Sequence, residues 1–202
     1  MKSILQIIFL LSLTFHYSQS YFFDKELIYS FRKGKPNNKS WEMNIFINSN
    51  DNSYYLKTIG SRDNRYGIIW DLKEKKKYGF YLVNVPSKPK NYYEFQFDVE
   101  LPTEGKRNKG YAFDFNQEID ENKYYIFNDI TKRKNSKEVV FLKKPSDKNL
   151  FFAFLYLADE PFELIPDIEP KDNFVVEKAK ISDHYYQLKS ITEQSLLLEV
   201  KQ

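Results

Sequence analysis

Outside the leader, His184 is the one imidazole available for acid–base work at neutral pH, and it stands in Asp183-His184-Tyr185-Tyr186. A serine–histidine–acid triad needs that imidazole hydrogen-bonded to a nucleophile and oriented by a carboxylate. No nucleophile motif surrounds it, so His184 reads as a surface side chain at the start of a strand. Zinc needs several His or Cys ligands, which a single His cannot supply. The chain has no cysteine and only six glycines, without a clustered pattern. Thiol chemistry, disulfides and a phosphate-cradling glycine loop are thereby excluded. No metal site and no cofactor is expected.

Carboxylates remain as catalytic groups. Glu94, Asp98 and Glu100 fall on one face of a strand, and glycoside hydrolysis needs only two such groups. On a one-sided sheet that face is solvated and nearby lysines neutralise it. A carboxylate-only hydrolase is therefore the weakest functional class, and no catalytic residue is assigned. Oxygens in Asn48–Asn52 or in an acidic loop are calcium candidates, but neither follows the EF-hand spacing. Asn38-Lys39-Ser40 is a glycosylation sequon, relevant only in a eukaryotic secretory pathway.

The amino terminus carries a different kind of signal. Met1-Lys2-Ser3 is basic, Ile4 to Phe15 is almost wholly apolar, and Ser18 and Ser20 follow as small residues two apart. This is the layout of a secretory signal peptide spanning 1–20 and cut after Ser20. Its apolar run is short of the roughly 20 residues that a membrane span needs. Without a cysteine after the cut, no lipid anchor is expected. The mature chain, Tyr21 to Gln202, is expected to be soluble, secreted or periplasmic, and a single all-β domain over 21–202.

Charge narrows the partners. The formal net charge is +3, with both signs interspersed, so no nucleic-acid partner is expected. The lysine-rich runs Lys73–Lys77 and Lys132–Lys134 read as solvated turns. The 18 Phe and 16 Tyr favour strands, on whose pleated surface flat rings pack, although an AT-rich genome also enriches them.

The elements that must position these groups show period-two alternation. Tyr93 to Leu101 is apolar at every odd position and polar at every even one, as in a strand with one dry face. Trp41 to Ile47, Tyr54 to Thr58, Ile68 to Leu72 and Tyr78 to Leu82 alternate likewise, with Trp41 and Trp70 on the core side and Tyr55, Tyr81 and Tyr92 on the opposite face. Further strands are expected at Glu26–Arg32, Tyr111–Phe115, Tyr124–Ile130, Glu138–Lys143, Phe174–Lys180, Tyr185–Ser190 and Ser195–Lys201. About a dozen strands at this spacing predict an all-β antiparallel meander, forming a curved sheet, a half-barrel or a two-layer sandwich. Helix is limited to a short piece at Asn116–Asn122 or after Ser182.

Two segments break the alternation. Leu150 to Leu157 is eight apolar residues in a row; its length and aromatic richness favour a strand with two apolar faces, each needing cover. Glu160 to Asn173 holds three prolines and five carboxylates and reads as a long extended loop. A two-faced apolar strand beside a lid-like loop suggests a non-catalytic, secreted or periplasmic binding protein, a carrier of an apolar or lipid-like ligand on a curved sheet. Phe152, Phe154, Tyr156, Phe162 and Ile165 are the expected ligand-binding residues. The alternative is an envelope interaction module for a protein or polysaccharide partner. No membrane span is expected beyond the leader.

Overall fold

The computed structural model describes residues 19–59, 66–82, 93–100, 112–114, 123–127, 136–158, 170, 172–181 and 183–200. Residues 1–18 of the leader, the helix expected at Asn116–Asn122, Tyr92, and the loop residues Phe162 and Ile165 lie outside them.

The fold is all-β and antiparallel, with one short helix among the described residues. Its strands are β1 (Gln19–Lys33), β2 (Ser40–Asn48), β3 (Asp51–Ile59), β4 (Tyr66–Asp71), β5 (Lys76–Leu82) and β6 (Tyr93–Glu100), then β7 (Ala112–Asp114), β8 (Lys123–Phe127), β9 (Ser136–Pro145), β10 (Phe174–Ile181) and β11 (His184–Val200). They form one open sheet in the order β6-β5-β4-β3-β2-β1-β11-β10-β9-β8-β7. The meander therefore runs outward in two wings, and its first and last strands pair at the centre. Tyr21 faces Leu198, Leu27 faces Ile191 and Phe31 faces Tyr186 in that central ladder.

Residues Tyr185–Ser190 and Ser195–Lys201, expected as two strands, belong to one continuous strand as far as Val200, and no helix follows Ser182. The polar stretch Thr192-Glu193-Gln194 looks like a turn in sequence. In the sheet it is absorbed by a register shift opposite Phe23 and Lys25, an extra residue that bends the pair without breaking it.

That bend divides the interior in two. Leu27 and Tyr29 belong to one core with Ile45, Ile47 and Tyr55. Tyr21 and Phe23 belong to a second core with Phe46, Leu56, Ile69, Tyr78 and Phe80. Neighbouring residues on a strand point to opposite faces, so β2 and β3 are covered on both sides. The amino-terminal half of β1 folds over the second face, where Tyr21 and Phe23 meet the Tyr54 ring at 5.1 and 5.6 Å.

Double cover corrects several face assignments. Tyr55, expected on the solvent side, is fully buried. In β4 the buried residues are Gly67, Ile69 and Asp71, whereas Ile68 and Trp70 are half-buried. Trp41 lies on the core side of β2 but beyond the core's edge, stacked on Phe31 and 49% exposed. In β6, a shift opposite Gly79 and Phe80 sends Phe95 onto Phe80, while Phe97 and Val99 are exposed. The dry face read from the sequence is thus broken by a bulge.

The largest correction concerns Leu150–Leu157. Phe151–Leu157 is a helix, α1, not a strand. Both faces of an apolar strand would need burial while its edges paired with neighbours. A helix bonds its own backbone, and one that is apolar all round is stable when fully embedded. Every residue of α1 except Phe152 is buried. Asn149 Oδ1 accepts from the Phe151 N–H at its start, and Ala158 N–H closes the last turn on Phe154.

The corner of β1 is fixed by charge. Lys25 Nζ lies 2.5 Å from Glu193 across the central ladder, and this hydrogen bond raises the lysine pKa. Asp24 accepts from both the backbone N–H and the hydroxyl of Ser49. Burial pushes the Asp24 carboxyl up, but the hydrogen bonds from Ser49 outweigh it and hold the group below the usual carboxylate range. A depressed folded pKa contributes stability that is full above the unfolded value and is lost as pH falls through the folded one. Asp24→Asn should therefore show a shallower loss of stability than the parent between roughly pH 5 and pH 2, measured by urea unfolding at each pH. An equal slope in both proteins would refute this role for Asp24.

Candidate functional site: a cationic groove across the central strands

Alternation and register place a coherent set of side chains on the face of β1, β11 and β10 opposite α1. Arg32 faces Ser40 on β2 and Tyr185 on β11, and Tyr185 faces Lys180 on β10. One step along, Ser30 faces Gln187, which faces Lys178, which faces Leu142 on β9. These two rows, with Pro36 and Asn38 from the β1–β2 turn, line an open groove of about 690 Å³. Phe141, Ala179 and Tyr186, whose side chains are buried in the first core, complete its lining.

The groove is basic. Among the described residues Arg32, Lys178 and Lys180 line it and no carboxylate does. Among the described residues none of the three makes an ion pair. Glu42, beside Ser30 in the β1–β2 register, is the acid nearest in that row. Lys178 and Lys180 are exposed, because they alternate with the buried Ala179 and Ile181.

Arg32 is held on two sides. Its guanidinium lies 4.2 Å from the centre of the Tyr185 ring, and Nη1 donates to the Gly34 carbonyl at 2.5 Å. The turn that supplies this carbonyl depends on Gly34, whose φ of +79° is strained for other residues. Asn38 Nδ2 donates to the Lys33 carbonyl at 2.7 Å, so the sequon amide already closes this turn. A ring-stacked, carbonyl-bonded guanidinium keeps several N–H groups in a fixed plane, the geometry that suits bidentate binding of a carboxylate.

The residues singled out in the sequence are distributed elsewhere. Phe154 and Tyr156 are buried in the first core: Phe154 packs against Tyr29 and Tyr186, and Tyr156 stacks on Tyr55 at 4.3 Å. Phe152, half-buried, sits edge-on to Tyr156 and borders a polar recess formed by Ser49–Asn52, Asp147–Asn149 and Asn173. The Asn48–Asn52 oxygens considered for calcium receive a lysine instead, since Lys148 Nζ donates to Ser49 Oγ and Asn50 Oδ1, both at 2.8 Å. His184 packs on Phe31 with Asp183 3.6 Å away, and among the described residues no hydroxyl is bonded to it. Asp98 on β6 lies 3.9 Å from Lys76, facing Tyr78 across the strand pair.

The groove residues were accessible to sequence reasoning only in part. Lys178 and Lys180 alternate visibly with apolar neighbours, which marks a cationic strand face. Arg32 lies far away in the chain, and it meets them only because β1 and β11 pair at the centre of the sheet. No helix among the described residues is long and apolar enough to cross a membrane. No protein family, no curated protein and no solved structure matches this chain.

Proposed function

We propose that this chain is an exported, non-catalytic binding module whose ligand occupies the open groove over β1, β11 and β10. The observation that carries this reading is the contrast between the two kinds of surface. Both faces of β2 and β3 are filled by packed rings, whereas the groove presents oriented polar and cationic groups to solvent. Recognition sites of this kind combine a rigid scaffold with a few fixed polar side chains. Export is supported by the leader layout of residues 1–20. An apolar carrier would need space where Phe154 and Tyr156 now pack, so the interaction module is the better-supported form of a binding function.

Native mass spectrometry of the protein purified from its own compartment separates the two. The groove reading predicts no lipid-sized adduct on the mature chain. An adduct removed by organic extraction would overturn it in favour of the carrier.

A further inference from the structure

Charge and lining chemistry together narrow the occupant of the groove. Lys178 and Lys180 are two residues apart on one strand, a separation of about 7 Å. Arg32 lies two strands away from Lys180, about 10 Å across the sheet. Three cations at such spacings in one open groove match a ligand that repeats its negative charge along a chain. Beside them in the lining stand hydroxyls and amides, Ser30, Ser40, Asn38 and Gln187, which donate to and accept from neutral hydroxyl groups.

This combination distinguishes among polyanions. Single-stranded nucleic acid is bound by stacking its bases on available aromatic faces, but the Tyr185 ring in the groove is covered by the Arg32 guanidinium. An acidic peptide would satisfy the cations, but β1, β11 and β10 are paired with a neighbour on both sides, so its backbone N–H and C=O groups find no strand edge to join. A bilayer surface presents its charge on a plane, whereas these residues line a depression walled by the Pro36–Asn38 turn. A carboxylated sugar chain supplies both features, carboxylates for Arg32 and the lysines and hydroxyls for the neutral residues beside them.

We propose that the groove binds an acidic polysaccharide of the uronate type, with Arg32 taking one carboxylate bidentately and Lys178 and Lys180 pairing with others along the chain. This rests on the groove being the binding site. Lysines act as point charges and tolerate variation in sugar geometry, whereas the clamped guanidinium fixes register. The sequon at Asn38 lies in the groove wall, where a covalent glycan would compete for the same space.

Fluorescence anisotropy with labelled oligogalacturonate tests this on the full mature chain. Binding is expected, weakening steeply as salt rises, with neutral malto-oligosaccharide failing to compete. Lys178→Gln/Lys180→Gln should weaken binding at least tenfold without shifting the melting temperature, since both side chains are exposed. Arg32→Lys should also weaken it although charge is kept. Should Arg32→Lys perturb the turn, the lysine pair decides alone. Equal, groove-dependent competition by polyglutamate of matched charge would overturn the glycan assignment while leaving the groove as the site. Oligogalacturonate binding that ignores all three substitutions, or absence of binding by any of these polyanions, would overturn both.

Discussion

Phe154→Ala is expected to lower the unfolding free energy by about 3–5 kcal/mol. Phe154 is 1% exposed, packs edge-on to Tyr186 at 5.5 Å and meets Tyr29 at 6.1 Å. Its neighbours are themselves fixed. Tyr29 donates its hydroxyl to the Val176 carbonyl and Tyr186 donates to the Ala158 carbonyl, so neither ring can collapse into the space without giving up a buried bond. A cavity bounded by such groups retains most of its volume, which places the loss in the upper part of the range for core truncations. Phe152→Ala, on the half-buried side of the same helix, should cost much less. Chemical denaturation of the two variants checks the difference; equal losses would mean that α1 does not bury the face described.

Tyr21→Phe is the second substitution with a large expected effect, about 1.5–3 kcal/mol. Asp71 is 4% exposed, and its Oδ2 accepts from the Tyr21 hydroxyl at 2.7 Å and from Gln19 Nε2 at 3.0 Å. Its Oδ1 accepts from the Glu74 N–H, which fixes the β4–β5 turn. Tyr78 donates to the other end of Gln19, so the network ties the start of β1 to β4 and β5. Burial, reinforced by Asp71, holds the Tyr21 phenol above its ordinary pKa, and the group acts as a neutral donor throughout the usable pH range. Removing the hydroxyl leaves a buried carboxylate oxygen short of a charge-assisted bond, at little cost in packing. Unfolding measured at neutral pH tests this, and a loss below about 0.5 kcal/mol would show that the network contributes little. Cleavage after Ser20 would remove Gln19 and make Tyr21 the side chain on which this link depends.

The sequence revealed the strands better than it revealed their faces. Alternation located β2 and β5 closely, through Trp41, Met43, Ile45 and Ile47 in one and Tyr78, Phe80 and Leu82 in the other, and it found the middle of β3. It failed where the environment is not one-sided. Tyr55 and Leu56 are adjacent and both buried, since β3 lies between two cores. Phe95 and Phe97 have the same parity and opposite surroundings, since a bulge separates them. Leu150–Leu157 has no period at all, so sequence could not distinguish a strand buried on two faces from a helix buried all round. The groove was hidden for a topological reason. Alternation shows that Lys178 and Lys180 share a face, but only the pairing of the terminal strands brings Arg32 beside them.

Carbodiimide coupling of oligogalacturonate to the folded protein, followed by peptide mass spectrometry, tests the central claim most directly. The reagent joins a carboxylate to a lysine amine only when the two are in contact. The groove predicts adducts concentrated at Lys178 and Lys180 and suppressed as salt is raised. Coupling concentrated at Lys73–Lys77, or spread over the surface lysines according to exposure, would contradict it.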